Sequence, residues 1–192
     1  VELYEQSTCR CWFQLDREAD SWSLLRYLSS LDHLFTVRGN RNRVVLTSGG
    51  HRSKLRTVLC RRKRLGQHHV DVPATPNRSA RRACIELRTT KTTLMLRDKK
   101  SGRMYPTAVN VVWAHEVGTT PKGEKPLDWV LLTNYPVCTL ERAREVIYGY
   151  CQRWRIEDFH RTWKSGVCDV ERSQLRTKLA LRKWATILAS VA

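Results

Sequence analysis

β-prone runs between residues 43 and 135 constrain the fold of this chain more than any other feature. They are separated by Gly, Pro, Asn and basic linkers, and their sequences are VVLT, ACIELR, TTLMLR, YPTAVNVVWAHEV and DWVLLT. Runs of this composition, bounded by turn-forming residues, are typical of strands. The CRRKR stretch at 60–64 interrupts them and is predicted to be an exposed basic loop. The sequence therefore predicts a β-rich region over residues 43–136.

The residues before this region predict a mixed α/β fold. A short strand over 11–15 delivers Asp16 at its carboxyl end, and a helix with an apolar face follows over 17–30. A second strand is expected over 33–38, with a Gly-Asn pair to turn the chain. This strand-helix-strand order places the first carboxylate of interest at a strand end.

The pattern becomes helical after the β-rich region. Thr139 is the predicted N-cap of a helix that runs unbroken to Lys164, where a Ser-Gly pair ends it. A last helix is predicted over 170–192. The chain is thus expected to consist of three segments, which are 1–42, 43–136 and 137–192.

The predicted long helix carries a charged stripe within YCQRWRIEDFHRTWK. At about 100° per residue, the spacing Tyr-x2-Arg-x3-Glu-x6-Lys places four side chains in a sector roughly 60° wide. They are Tyr150, Arg153, Glu157 and Lys164, with Trp154 and Arg161 beside them. A carboxylate and several cations on one face fit a phosphate-handling site. The spacing alone favours the other interpretation, a solvated face of ion pairs.

The charge of the whole chain favours a polyanionic partner. Its 192 residues include 35 Lys and Arg against 18 Asp and Glu, which gives a net charge of +17. Neutralised phosphates release counterions, and this release drives such a protein onto nucleic acid. An anionic membrane is the competing partner, but no apolar run approaches the ~18 residues of a spanning helix. Nucleic acid, and no membrane, is therefore the predicted partner.

The seven cysteines predict free thiols in a reducing cytosol, because they are scattered and form no CxxC pair. A zinc-stabilised nucleic-acid module would have to combine them with His68 and His69. Their spacing does not match a zinc knuckle or a zinc finger, so this is the weakest of the alternatives.

Two carboxylates far apart in the sequence suggest metal-assisted chemistry. Asp16 follows a predicted strand and Glu157 lies on a predicted helix face, and such positions can meet in an α/β core. Mg²⁺ takes oxygen ligands and keeps its remaining positions for water and phosphate. A pair of such ions can clamp the attacking and leaving oxygens of a phosphodiester displacement.

Five motifs carry a family resemblance that extends from about Phe13 to the end of the chain. They are LDREAD, LFTVRG, NRSARRA, TPKGEKPLDWVLLTNYPV and YCQRWRIEDFHRTWKSG. With these motifs the chain resembles the bacterial cut-and-paste insertion-sequence transposases that have an RNase H-like DDE catalytic domain and a Tyr-Arg-Glu-Lys signature. The resemblance implies a partial RNase H-like, retroviral integrase-like core. Its β-rich insertion would lie between the last core strand and the glutamate-bearing helix.

The resemblance also implies an activity and its catalytic residues. Asp16 corresponds to the second Asp and Glu157 to the Glu of the catalytic triad, and both would hold Mg²⁺ or Mn²⁺. In the intact protein, water would hydrolyse one strand at a transposon end, and the freed 3′-OH would attack the opposite strand to form a hairpin. Hairpin opening would precede strand transfer into target DNA.

The DNA contacts implied by the resemblance lie mostly on the charged stripe. Trp129 matches the aromatic residue on which a flipped base stacks, and Trp154 resembles a ring packed beside the terminal base pair. For both tryptophans, ordinary core packing is the alternative. The complete set of implied DNA-binding residues is Arg38, Trp129, Tyr150, Arg153, Trp154, Arg161 and Lys164.

The sequence departs from the family at the first catalytic Asp. That residue lies upstream of the second in the family, yet no Asp precedes Asp16 here. The expectation is therefore the carboxyl half of a catalytic domain, inactive alone. The alternative is a non-catalytic basic DNA-binding fragment or transposase remnant. The intact protein is expected to act as a homodimer on paired ends, in the bacterial cytoplasm at the nucleoid.

Overall fold

A computed structural model describes residues 9–47, 49–74, 79–165 and 175–189, which fall into two compact units, 1–150 and 151–192. Strands β1 to β8 are Trp12–Leu15, Leu34–Arg38, Val44–Leu46, Arg52–Lys54, Gly66–Val72, Arg81–Arg97, Met104–Glu116 and Asp128–Thr133. Helices α1 to α5 are Trp22–Ser30, Leu55–Cys60, Leu140–Gln152, Trp154–Ser165 and Lys178–Ala189. A short 3₁₀ helix covers Arg17–Ala19. The mixed α/β class is as predicted.

The eight strands of the first unit form a single sheet. Its order is β1-β2-β8-β7-β6-β3-β4, and β5 pairs with β6. Strands β1 and β2 are parallel, and the other pairs are antiparallel. Because β8 pairs with β2 at Thr36 and Thr133, the β-rich region extends the sheet that β1 and β2 begin. The predicted segment boundary at residue 43 is therefore not a break in the sheet.

The longest strand joins two runs that the sequence suggested were separate. ACIELR and TTLMLR belong to the 17-residue strand β6. The Thr-Thr-Lys stretch between them continues the strand, because β-branched threonines suit an extended backbone and β7 pairs along Ile85 to Arg97. Strands β5 and β3 pair with successive parts of the other edge of β6. Neither β5 nor α2 was predicted.

One buried apolar cluster lies on the face of this sheet that packs against α1, and α3 contacts β8 through the buried pair Trp129 and Tyr150. Leu25 of α1 is fully buried, as are Leu94 and Leu96 of β6. Burying one such side chain contributes about 1.5–3 kcal/mol. Side chains alternate between the faces of a strand, so Met95 and Arg97 lie on the opposite face, and Arg97 is exposed.

The predicted helix over 17–30 is two elements instead of one. The 3₁₀ helix ends at Ala19, and Ser21 then caps α1, accepting a hydrogen bond from the Leu24 amide at 3.2 Å. Asp20 lies between the two elements, and it accepts hydrogen bonds from the amides of Asn40 and Arg41 and from the side chain of Arg43.

The predicted unbroken helix to Lys164 is also two elements. Thr139 does cap α3, since its Oγ1 accepts from the Arg142 amide at 3.3 Å. The helix is interrupted at Arg153, where the Ile156 amide bonds the Arg153 carbonyl at 3.2 Å in a tighter turn than an α-helix makes. The prediction of an unbroken helix is therefore wrong at Arg153. The common sector for the four side chains assumed that helix and stays a prediction.

Three further predictions concern helices and cysteines. Helix α5 begins at Lys178, and the earlier start predicted at residue 170 lies outside the described residues. Within the described ranges, no helix is long and apolar enough to cross a membrane. Six cysteines are free thiols, and Cys168 lies outside the described residues.

Candidate active site

Asp16 lies at the carboxyl edge of the parallel strand pair. Leu15 pairs with Val37, so the residues that follow them, Asp16 and Arg38, are neighbours at the same edge of the sheet. Oδ1 of Asp16 accepts a hydrogen bond from the Glu18 amide at 2.9 Å and caps the 3₁₀ helix. Its other oxygen makes no hydrogen bond within the described part of the chain. This half-buried carboxylate can therefore offer an oxygen to a ligand.

The second Asp of LDREAD has a different role, which the sequence did not reveal. The side chain of Asp20 is completely buried. Its Oδ2 accepts from the amides of Asn40 and Arg41 at 2.8 and 3.1 Å, and its Oδ1 accepts from Nε of Arg43 at 2.8 Å. Asp20 thus fixes the loop that follows β2 and Arg38. The local signal was a second aspartate four positions after Asp16.

Helix α3 approaches β1 closely where Gly149 meets Gln14. A Cβ atom built on Gly149 would lie 2.7 Å from Nε2 of Gln14, so any larger residue requires this amide to move. The contact packs the last turns of α3 against the strand that ends at Asp16. Glycine at position 149 is therefore part of how the strand and helix are brought together.

Trp129 and Tyr150 are core residues in this structure. Each is only 2% exposed, and their rings make an edge-to-face contact with centroids 5.2 Å apart. Trp129 lies on β8 and Tyr150 on α3, so the pair ties the helix to the sheet. The core-packing alternative raised for Trp129 describes this arrangement. Base stacking by Trp129 and phosphate contact by Tyr150 stay predictions.

Asp128, next to Trp129, anchors the start of β8. Arg56 donates two hydrogen bonds to its carboxylate at 3.1 and 2.7 Å, and Nε1 of Trp113 donates a third at 2.8 Å. Partial burial opposes ionisation of Asp128, and these donors more than offset it, so the pKa lies below its ordinary value. The anchor holds Trp129 on its strand.

The TPKGEK loop before β8 is held by a buried charge cluster. Arg81 pairs with Glu116, and its Nε donates to Glu124 at 2.9 Å. Glu116 also accepts from the Leu127 amide at 2.8 Å. Burial opposes ionisation of Glu116, but these hydrogen bonds lower its pKa overall.

In the second unit, Arg153 and the charged residues of α4 form ion pairs. Arg153 pairs with Glu157 at 2.8 Å, and Arg161 pairs with Asp158 at 3.3 Å. Both side chains of the Arg161–Asp158 pair are exposed, so this pair contributes only about 0.2–1 kcal/mol. In the other pair, Glu157 is 55% exposed and Arg153 only 19%. Lys164 is also exposed, and Trp154 is half-buried. The ion-paired interpretation of this helix is the one that the geometry matches.

The described residues contain no group of three or more His, Cys, Asp or Glu placed to hold a metal ion. The zinc alternative therefore gains no support. Burial and the nearby Arg144 lower the pKa of His68. For Mg²⁺ or Mn²⁺, the carboxylates of Asp16 and Glu157 are the right kind of donor. One carboxylate alone does not complete the coordination of such an ion.

A mixed α/β sheet, a carboxylate with an unengaged oxygen at a strand end and a charge of +17 are features expected of a protein that processes DNA. The chain belongs to the transposase DDE domain family, which matches residues 9–192. Its function is therefore that of a transposase, in DNA transposition and recombination. Members of this family generally use divalent metal ions. The family resemblance predicted from the motifs is confirmed.

Proposed function

We propose that Asp16 and Glu157 are the second and third acidic residues of the DDE motif, and that β1 and β2 belong to an RNase H-like core. The observation that carries the proposal is the geometry at Asp16. A half-buried carboxylate with one unengaged oxygen lies at the carboxyl edge of a parallel strand pair, beside Arg38, in a chain of this family. A strand end with Asp and Arg at neighbouring backbone positions suits a metal-bound phosphate.

In this proposal, Asp16 and Glu157 hold Mg²⁺ or Mn²⁺. A bound ion would polarise a phosphoryl oxygen and lower the pKa of its water. Arg38 would bind a phosphate oxygen next to Asp16, because a guanidinium offers several donors in one plane. Arg153 would hold the Glu157 side chain through their ion pair, which limits the rotamers that Glu157 samples before a ligand arrives.

The transposon end would be gripped by the cations of α4. Lys164 is exposed near the end of that helix, Arg161 pairs with Asp158 on it, and Arg153 just before it pairs with Glu157. The Arg161–Asp158 pair is exposed and weak, so a phosphate can compete with that carboxylate for the guanidinium group. Tyr150 and Trp154 would contribute from the ends of α3 and α4.

Base stacking on Trp129 requires a rearrangement. Stacking of one base is worth about 1–3 kcal/mol, while removing a large aromatic side chain from a core costs about 3–5 kcal/mol. A flipped base alone therefore does not extract the ring from its contact with Tyr150. If Trp129 acts in hairpin formation, further DNA contacts must stabilise the opened conformation.

A second function, DNA binding without cleavage, is favoured for the 192-residue chain by itself. Only two of the three acidic residues have been identified, and no cluster of three metal ligands lies among the described residues. The charge of +17 is sufficient for salt-sensitive binding without a metal. Hairpin formation, strand transfer and action as a homodimer on transposon ends and target DNA are proposed for the intact protein.

The test compares binding with cleavage on a supercoiled plasmid that carries the gene and its flanking DNA. We expect the 192-residue chain to bind and not to nick in Mg²⁺ or Mn²⁺. A longer form of the protein that supplies a third acidic residue should nick, and Asp16→Asn or Glu157→Gln in it should abolish nicking while binding persists. Glu18→Gln, a carboxylate change beside Asp16, is the matched control and should nick normally. Equal nicking by Glu157→Gln would remove it from the catalytic residues.

A further inference from the structure

A basic groove in the first unit contains none of the residues proposed to be catalytic or DNA-binding. Its volume is about 570 Å³, and β3, β4, β6 and β7 contribute to it together with the loops beside them. Five exposed cations line it, namely Arg41, Arg52, Lys54, Arg97 and Lys99. No acidic residue is among its lining residues.

The five groove cations form no ion pair among the described residues. Other arginines of the first unit do. Arg43, Arg56 and Arg81 each bind at least one carboxylate. Even Arg43, which also lines the groove, is neutralised by the buried Asp20. Unpaired exposed cations crowded around one concavity repel one another, so an anionic ligand that fills it relieves that repulsion.

The register of the strands explains why the cations converge. Arg52 and Lys54 are two residues apart on β4, so they point to the same face and stand about 6.8 Å apart. Lys54 pairs with Val44 of β3, and Arg97 pairs with Met104 of β7. Val44 and Met104 line the groove together with these cations. The concavity therefore has cations at its rim and apolar side chains between them.

The positive surface continues beyond this groove. Arg52 also lines a neighbouring concavity of about 400 Å³, together with His51, Arg61 and Arg62. Arg61 and Arg62 belong to the CRRKR stretch, and Arg88 fixes that loop by donating to the carbonyls of Cys60 and Arg62. An elongated, connected set of cations fits a linear polyanion better than a single small anion.

We propose that this groove binds the sugar-phosphate backbone of DNA, at a site separate from the cations of α4. The inference rests on the proposed function only in that the chain binds DNA. Arg52 and Lys54 point to the same face of β4 about 6.8 Å apart, so both can contact phosphates of one strand. The apolar side chains of Val44, Met95 and Met104 face the deoxyribose of the same segment. No base is read, so the contact is independent of DNA sequence.

The test measures the affinity for a fluorescent DNA duplex of arbitrary sequence as a function of salt. Arg52→Gln, Lys54→Gln and Arg97→Gln are combined in one groove variant. Each lost phosphate contact lowers the salt slope of the association constant by about 0.9, so the groove variant should lose roughly 2–3 in slope. The matched control combines Lys91→Gln, Lys122→Gln and Lys125→Gln, three exposed lysines outside the groove, and should lose less than about 1.

Two further variants keep the test decisive. Arg52→Lys with Arg97→Lys preserves charge and should keep the wild-type slope, which separates loss of phosphate contacts from a folding defect. Equal losses in the groove and control variants would overturn the proposal, because net charge alone would then explain them. A wild-type chain that does not bind DNA would instead refute the proposed function. Wild-type binding that Lys164→Ala weakens and the groove variant does not would refute only the groove.

A parallel experiment with anionic vesicles tests the competing partner, a membrane surface. Vesicles containing phosphatidylserine are titrated with the wild-type chain and the groove variant at the same salt concentrations. We expect no vesicle binding that depends on the groove. Loss of vesicle binding in the groove variant, with an unchanged DNA slope, would overturn the assignment to DNA.

Discussion

The basic groove and helix α4 use positive charge in opposite ways. The groove holds Arg52, Lys54 and Arg97 without a carboxylate partner among the described residues. In contrast, Arg161 of α4 and Arg153, just before it, each pair with a carboxylate of that helix. The sequence motif with the most charged residues therefore lies on a surface whose charges partly cancel. Uncompensated charge is found where strands distant in the sequence are brought together.

The first unit adds a third arrangement, in which charges are buried and paired. Asp20 with Arg43 and Glu116 with Arg81 are almost inaccessible to solvent, unlike the pairs on α4. A buried pair fixes backbone segments, whereas an exposed pair adjusts the surface charge. The difference predicts that similar carboxylate substitutions have very different consequences in the two units.

The largest effect is expected from Asp20→Ala. It leaves Arg43 buried without its carboxylate and removes the acceptor of two loop amides, so the free energy of unfolding should fall by about 3–5 kcal/mol. Urea denaturation followed by circular dichroism measures it. Asp158→Ala, which breaks the exposed pair with Arg161, is the control and should change stability by no more than about 1 kcal/mol. Similar losses in both variants would remove the distinction between the two kinds of pair.

Acid should weaken the first unit through Glu116 and Asp128. The pKa of each is depressed in the folded state, so their stabilisation is complete above the ordinary values of about 4.3 and 3.9. It is lost as pH falls through the depressed values, so the free energy of unfolding should decrease below about pH 4. Glu116→Gln should flatten this decrease by up to about 1.4 kcal/mol per pH unit, which is the contribution of one titrating proton. An unchanged slope would show that Glu116 is not held ionised by Arg81.

Much of the fold could be predicted because the signals were local. The strand before Asp16, the strand ending at Arg38 and the Thr139 cap each depend on a few adjacent residues, and the structure contains all three. The break at Arg153 was missed because no Gly or Pro marks it. The continuity of β6 was missed because it depends on pairing with β7. This pairing between strands leaves no local signal in the sequence of β6.

The sites divide in the same way. Asp16 was predicted at a strand end, where a local pattern suffices, and the structure places it there. The burial of Trp129 against Tyr150 depends on a contact between β8 and α3 that no local pattern reveals. The groove was missed because its cations come from two loops, β4 and β6, and only strand register unites them.

The smallest effect is expected from neutralising the carboxylates of α4. Glu157→Gln with Asp158→Asn frees Arg153 and Arg161 from these ion pairs, so the helix becomes more positive without any change to its cations. In EDTA, which excludes metal effects, DNA affinity should rise about two- to fivefold, equivalent to roughly 0.4–1 kcal/mol. Lys164→Ala should act in the opposite direction. Unchanged affinity in both variants would mean that α4 does not contact DNA, and that the groove supplies the binding charge.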